Sequence, residues 1–259
     1  MLSEDQIARL ADWISRRRDT HVVKEENRAG NFKKSAVSYL KKKSKGKKHK
    51  IQIENYIKNC EDQAYLFDEK KAIKDIIYSM CIDKESVCIE VGVRLGENAA
   101  QICLNNPKKL YLVDPWLVSS TYPHHYGNEG FYRKVKKLFR GIPSVKILRE
   151  TSEKASKEFK SKSVDFAYID AGHTYDDVKL DLSIWSKKIK VGGYICGDDY
   201  FGVENPDWRV KWDSPRGEYG VIRAVDEFLE NNPGFNLVYF DEEQTFPLPG
   251  GHFLIQRKR

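Results

Sequence analysis

The chain has 259 residues, 40% hydrophobic and 32% charged, with a formal net charge of +7, which suits one large domain with an appendage, or two small ones, around a substantial core. No apolar stretch approaches the roughly 20 residues that span a bilayer, and the opening MLSEDQIARLADWISRRR lacks the apolar region of a signal peptide, so a soluble, cytoplasmic protein without a transmembrane segment is expected. The five cysteines (Cys60, Cys81, Cys88, Cys103, Cys196) are odd in number and form no CxxC pair, which argues against a disulfide framework or a zinc knuckle and for a reducing compartment.

The first segment, residues 4–18, spaces Ile7, Leu10, Ala11 and Ile14 on one helical face with Ser3 as its cap. The basicity of the chain is local: residues 33–50 hold nine lysines and no acid, and the remainder is slightly acidic. Such a block reads first as a solvated linker, and otherwise as a contact for a polyanion or an anionic membrane surface. With Tyr39 as its one aromatic, it lacks the interleaved rings on which single-stranded nucleic acid stacks. Residues 51–80 are helix-like, with Ile53, Ile57, Ala72, Ile73, Ile76 and Ile77 as candidate buried positions. The spacing thus divides the chain into a lysine-rich helical extension (1–50), a helical lead-in (51–85) and a main domain (86–259).

From residue 86 short apolar runs alternate with helical patterns. The runs are SVCIEV (86–91), KLYLVD (109–114), VKIL (145–148), VDFAYID (164–170), GGYICGD (192–198), FNLVYF (235–240) and HFLIQR (252–257). Helices are predicted near 97–105, 129–140, 152–160, 174–189 and 218–231; Val178, Leu182, Trp185 and Ile189 share a face of the fourth, and Val221, Val225, Phe228 and Leu229 a face of the fifth. Strands alternating with helices imply right-handed crossovers, a sheet covered on both faces and ligand sites at the carboxyl ends of the strands. The last two runs have no helix between them and are expected to pair antiparallel at one edge.

The strand ends carry the candidate chemistry. EVGVRLG ends the first strand: Gly92 allows a sharp turn beside a ligand, and Gly96 lets a helix start close to it. The spacing ExGxxxG differs from the GxGxxG of dinucleotide binders. In LVDPW, Asp114 ends the second strand, where a carboxylate accepts both hydroxyls of a ribose or simply opens a turn before Pro115. Asp170, then Asp198 with Asp199, end the fourth and fifth strands, and His173 follows three residues after the first of these. Thr174 and Asp177 form a capping box for the next helix, which leaves His173 on a loop with Gly172 supplying its turn. Neighbours in an extended strand face opposite sides, so Asp198 and Asp199 can act together only if the strand has ended; a turn is predicted at 197–200.

Taken together, EVGVRLG, LVDPW, VDFAYIDAGHTYDDVKLDL, GGYICGDDY and GVIRAVDEF resemble the class I S-adenosylmethionine-dependent methyltransferases, and within them the small metal-dependent O-methyltransferases that act on sugars, including those of macrolide and surface-glycan pathways. The resemblance covers residues 86–258. It implies a Rossmann-like, doubly wound seven-stranded sheet, mostly parallel with an antiparallel last strand. It also implies transfer of a methyl group from S-adenosylmethionine to a hydroxyl of a sugar, glycan or other glycosylated acceptor. By the same resemblance Glu90, Gly92 and Gly96 lie beside the methionine part of the cofactor, Asp114 holds its ribose, and Thr151 and Ser152 lie near its adenine, with Asp170 also at the cofactor. Asp170, Asp198 and Asp199 resemble the family's ligands for Mg²⁺ or another divalent cation, which would lower the pKa of the acceptor hydroxyl. His173 stands where some members place a general base, a role Asp170 could also fill.

Residues 120–134, with His124 and His125, read as a lid over the substrate. The insertion 201–220 offers Trp208, Arg209, Trp212 and Arg216 either to a sugar or to packing on the core. Two other function classes remain open at this stage: a nicotinamide-dependent oxidoreductase, disfavoured by the missing GxGxxG, and a non-catalytic module of the same fold tethered by its basic tail. Nucleic-acid methylation through the lysine-rich run and assembly into an oligomer are likewise compatible with the sequence.

Overall fold

Successive residues of each central strand bury themselves on opposite sides of one sheet, and this two-sided burial builds the architecture. The computed structural model describes residues 2–16, 69–117, 129–200, 220–240 and 251–259. The lysine run 33–50, Ile53, Ile57, His124, His125, Trp208, Arg209, Trp212 and Arg216 fall outside them. In chain order the described elements are α1 (Glu4–Arg16), α2 (Glu69–Cys81), β1 (Val87–Val91), α3 (Glu97–Leu104), β2 (Lys109–Val113), α4 (Glu129–Leu138), β3 (Val145–Leu148), α5 (Ser152–Ser156), β4 (Val164–Ile169), α6 (Tyr175–Trp185), β5 (Ile189–Gly197), α7 (Val221–Asn231), β6 (Phe235–Phe240) and β7 (Phe253–Arg257).

The strands form a seven-stranded sheet in the order β3-β2-β1-β4-β5-β7-β6. The first five are mutually parallel, and β7 runs antiparallel between β5 and β6. Cys88, Leu110, Leu112, Phe166, Tyr168 and Cys196 face one core, shared with Leu10, Ile77, Tyr78, Ala99, Ile102 and Val135 from α1 to α4. Their neighbours Ile89, Val113, Ala167, Ile169 and Ile195 face a second core with Leu182, Trp185 and Val225 from α6 and α7. Fully burying side chains of this size contributes about 1.5–3 kcal/mol each, so both faces are strongly committed. Strand order reverses between β1 and β4, and the carboxyl ends there form the crevice in which such folds bind ligands.

At the amino end, the Ser3 hydroxyl accepts from the Gln6 amide (3.3 Å) and the Gln6 side chain accepts from the Ser3 amide (2.8 Å), a reciprocal cap. α1 packs on α3 and α4, with Leu10 fully buried but Ile7 45% exposed, so the apolar stripe is narrower than its sequence spacing indicates. The helix predicted over 174–189 is shorter. It ends at Trp185, and Ile189 instead opens β5, where it pairs with Val164 and is fully buried. Its spacing from Trp185 fits a helical face, but strand pairing provides the burial. Among the described residues no helix is long and apolar enough to cross a membrane.

The tips of β1 and β4 are in backbone contact. The Asp170 amide donates to the Val91 carbonyl (2.8 Å), and a Cβ on Gly92 (φ +88°) would lie 1.9 Å from the Asp170 carbonyl oxygen. Gly192 has a similar φ of +84° but nothing within 4 Å of its Cβ position. Gly92→Ala is therefore expected to cost at least about 3 kcal/mol and Gly192→Ala only about 1–2 kcal/mol, measured by urea unfolding. Equal losses would mean that the φ angle, and not the contact, governs Gly92.

Asp181 lies buried between α6 and α5. Burial pushes its carboxyl up to about 6, against the lowering effect of the Ser152 hydroxyl that bonds it. Because the folded value stands above the unfolded one, ionising Asp181 opposes folding; the penalty is absent below about pH 4 and complete above about pH 6. Asp181→Asn should raise stability at pH 8 by about 2–3 kcal/mol and leave it unchanged at pH 4. Urea melts at the two pH values measure both effects.

Candidate active site

The loop after β1 is shaped by Asp114. One of its oxygens accepts from the amides of Val93 (3.0 Å) and Arg94 (2.8 Å), the other from the amide of Trp116 (2.6 Å). Trp116 is buried, and its indole N–H donates to the Arg94 carbonyl (2.9 Å), closing the clasp. Burial raises the Asp114 carboxyl above its usual range, and the three amides oppose that rise. Oδ2 uses both of its lone pairs on Val93 and Arg94, whereas Oδ1 accepts only from Trp116, so holding the loop leaves one lone pair on Oδ1 for a ligand hydroxyl. Gly96 (φ +82°) ends the loop and precedes α3; the space beside it is filled by Phe139, Leu138 and Val135. Its small size thus serves helix packing directly.

Behind this loop runs a buried polar chain. Tyr78 of α2 donates to the Asn98 side-chain carbonyl (2.5 Å), and the Asn98 amide donates to Oε1 of Glu90 (3.1 Å). Among the described residues Oε2 of Glu90 has no hydrogen-bond partner although it is buried, and burial pushes this carboxyl well above its ordinary value. An unpartnered buried acceptor costs about 1–3 kcal/mol, so the position suits a ligand that brings a donor and a positive charge.

Asp170, Asp198 and Asp199 stand at the neighbouring tips. β5 ends at Gly197 and Asp199 turns into the left-handed region (φ +62°), which is the expected break in the strand. The turn separates the two acids. Asp199 meets Nδ1 of His173 at 3.0 Å. Asp198 lies 3.7 Å from the Lys74 ammonium through one oxygen and 3.7 Å from Nε2 of His252 through the other. Lys74 also sits over the Tyr168 ring, 4.9 Å from its centroid. Burial and then Asp198 push Asp170 up to about 6, while Lys74 and His173 pull against them. For His173, burial acts downward, but Asp199, Asp170 and Asp198 outweigh it and its pKa is raised. The loop bearing His173 is fixed from both sides: its carbonyl accepts from the Gly220 amide (2.8 Å), and the Thr174 hydroxyl caps α6 at the Asp177 amide (3.2 Å).

This arrangement departs from the expected metal centre. Among the described residues no group of three or more His, Cys, Asp or Glu side chains is placed to hold a metal ion. The physical reason is the pairing just described: Asp199 is turned to an imidazole and Asp198 to an ammonium, whereas Mg²⁺ requires oxygen ligands converging in near-octahedral geometry. Ser152 is also engaged elsewhere, accepting from the Trp185 indole (2.7 Å) and bonding Asp181, so its hydroxyl ties α5 to α6; Thr151 precedes α5 without a side-chain capping bond.

Lys74, His252, Asn98 and Tyr78 were not singled out by sequence reasoning. A signal existed for two of them. Lys74 is spaced three and four residues before Ile77 and Tyr78, which are buried, and so shares their face of α2. His252 follows from topology: β7 pairs Phe253 with Gly197, which sets residue 252 beside Asp198.

Residues 89–200, somewhat under half of the chain, match a family described as a methyltransferase domain. A segment of 89 residues, 34% of this chain, is 29% identical to protein y4gI of Sinorhizobium fredii, but spans only 10% of that relative's length. Among solved structures, SMU.1697c of Streptococcus mutans, described as a methyltransferase and solved with SAH, superposes with a TM-score of 0.54 at 13% identity, covering 74% of this chain and 99% of its own. An rRNA methylase of Streptococcus thermophilus gives 0.52 at 13% identity, covering 75% and 100%. The fibrillarin pre-rRNA processing protein of Methanococcus jannaschii gives 0.50 at 14% identity, covering 73% and 74%. The strand order, the antiparallel β7 and the matched segment together give this chain the fold of the class I S-adenosylmethionine-dependent methyltransferases.

Proposed function

We propose that the protein transfers the methyl group of S-adenosylmethionine to a hydroxyl of a sugar or glycosylated acceptor, with His173 as the general base. The observation that carries the reading is the His173–Asp199 pair (3.0 Å) at the tips of β4 and β5, next to the loop clasped by Asp114. The resemblance of the strand-end motifs to sugar O-methyltransferases supports the acceptor class. No step is assigned to a metal ion, because the carboxylates as placed do not fit one.

Glu90 and Asp114 would hold the cofactor. The unpartnered Oε2 of Glu90 suits the α-ammonium of its methionine part, which supplies both a donor and a counter-charge. The remaining lone pair of Asp114, on Oδ1, suits a ribose hydroxyl. When bound, the cofactor supplies a methyl group made electrophilic by a sulfonium. A hydroxyl attacks poorly while it keeps its proton, so a base must take that proton as the new bond forms. With Nδ1 of His173 held by Asp199, the proton goes to Nε2, and Asp199 both orients the ring and stabilises the imidazolium that results. Asp170 and Asp198 add negative potential that favours the imidazolium further. Their effect also means that His173 is neutral, and able to act, only above its raised pKa, so turnover should rise with pH through a value higher than that of an ordinary histidine.

Calorimetric titration of the full chain with S-adenosylmethionine and its demethylated product should show binding of both. Glu90→Gln should weaken it about tenfold and Asp114→Ala more, as one or more charge-assisted bonds are lost. His173→Asn should bind the cofactor unchanged yet lose about 10²-fold or more of methyl transfer to any glycosylated acceptor found by screening with labelled cofactor. Failure of the wild-type protein to bind either cofactor form would overturn the reading. Full activity of His173→Asn would remove the histidine from it.

A further inference from the structure

The cation facing the strand-end carboxylates is supplied by the chain itself. Lys74 belongs to α2, ahead of the segment 89–200 that matches the methyltransferase family, yet its ammonium reaches Asp198 and the Tyr168 ring inside the crevice. Only 13% of its side chain is exposed. Its position is set by packing, since Ile77 and Tyr78, one turn further along the same face, are buried against the sheet, and Tyr78 is bonded into the Asn98–Glu90 chain. An ammonium so largely buried needs compensating charge, and here it is provided by Asp198, with Asp170 and Glu90 also acting on it.

We infer that Lys74 is the resident cation of this site: it holds Asp198 and occupies the electrostatic role of a divalent ion, so that the protein binds its ligands without one. A compact ammonium with three donors can neutralise one carboxylate and still face an acceptor oxygen. A divalent ion placed among the same acids would lie close to that ammonium in a poorly solvated site, and their repulsion opposes its binding. Lys74 is thus a positioning residue for the acid cluster. The inference concerns the metal preference of the site and stands apart from the identity of the methyl acceptor.

The test is a titration of the full-length protein with Mn²⁺ alone, followed by the electron paramagnetic resonance of the unbound ion, with no methyl donor present. The wild type should leave Mn²⁺ unbound up to about millimolar concentration, as should Lys74→Arg, which keeps the charge. Lys74→Met keeps the apolar stem and removes the charge; it should gain at least about tenfold in Mn²⁺ affinity, and the further change Asp198→Asn should abolish the gain. Thermal melts identify the folded variants. Tight Mn²⁺ binding by the wild type that Asp198→Asn abolishes would overturn the inference, as would a folded Lys74→Met with no gain. Should Lys74→Met not fold, Lys74→Gln, uncharged and of similar length, takes its place with the same expected gain. Because no cofactor is present, loss of the functional reading in the previous subsection would leave this result intact.

Discussion

Everything at the candidate site depends on how closely two strand tips approach. With no side chain on Gly92, the loop after β1 rests directly on the backbone of Asp170, while Asp170 donates to Val91 in the same place. That contact fixes the first residue after β4 relative to the first residue after β1. Asp114 extends the constraint to a third strand by binding the amides of Val93 and Arg94. Three strand ends become one rigid edge, and side chains projecting from it have defined places without support from a bound ligand. Preorganisation of this kind is what a transfer reaction needs, since it removes the cost of assembling the groups when the substrate arrives.

The two cores divide the labour. On the side of α5, α6 and α7, burial is mostly apolar, and the buried carboxylate Asp181 works against stability once ionised. On the side of α1 to α4, the apolar core encloses Tyr78, Glu90 and Tyr168, and Lys74 reaches in from the same helix as Tyr78. The Glu90 oxygen and the Tyr168 hydroxyl are both buried without hydrogen-bond partners among the described residues. Stability that the first face contributes offsets the unsatisfied polarity of the second.

Much of this was legible in the residues, for definable reasons. Strands buried on both faces are written as near-continuous apolar runs, and all seven were found from VCIEV through FLIQR, with the carboxylates at their ends placed where the structure has them. The turn at Asp199 follows from strand geometry together with the expectation that Asp198 and Asp199 share an ion; the turn is present, but the two acids face different partners. What escaped reading depends on partners distant in sequence. Ile189 satisfies helical spacing and strand pairing equally well, and only its register with Val164 decides between them. Ser152 stands at the right turn for a ligand, but its hydroxyl is taken by Trp185, 33 residues away. His252 becomes visible as a neighbour of Asp198 only once β7 is known to insert beside β5.

Lys74 shows most clearly why a matching motif does not determine the chemistry of a site. Three acids at adjacent strand ends resemble a metal centre when read along the chain, and their residue types do fit hard cations. Whether they bind one is set by the net charge and the geometry of the whole neighbourhood. A single lysine on a helix outside the matched segment neutralises one acid, a histidine engages another, and the third is left with burial and repulsion that drive its pKa up to about 6. If Lys74 is the resident cation inferred above, the cation these carboxylates face is attached to the chain and is not a diffusible ion. A tethered ammonium has a fixed place and cannot be lost to a chelator. It also offers hydrogen-bond donors where a metal would offer coordination positions.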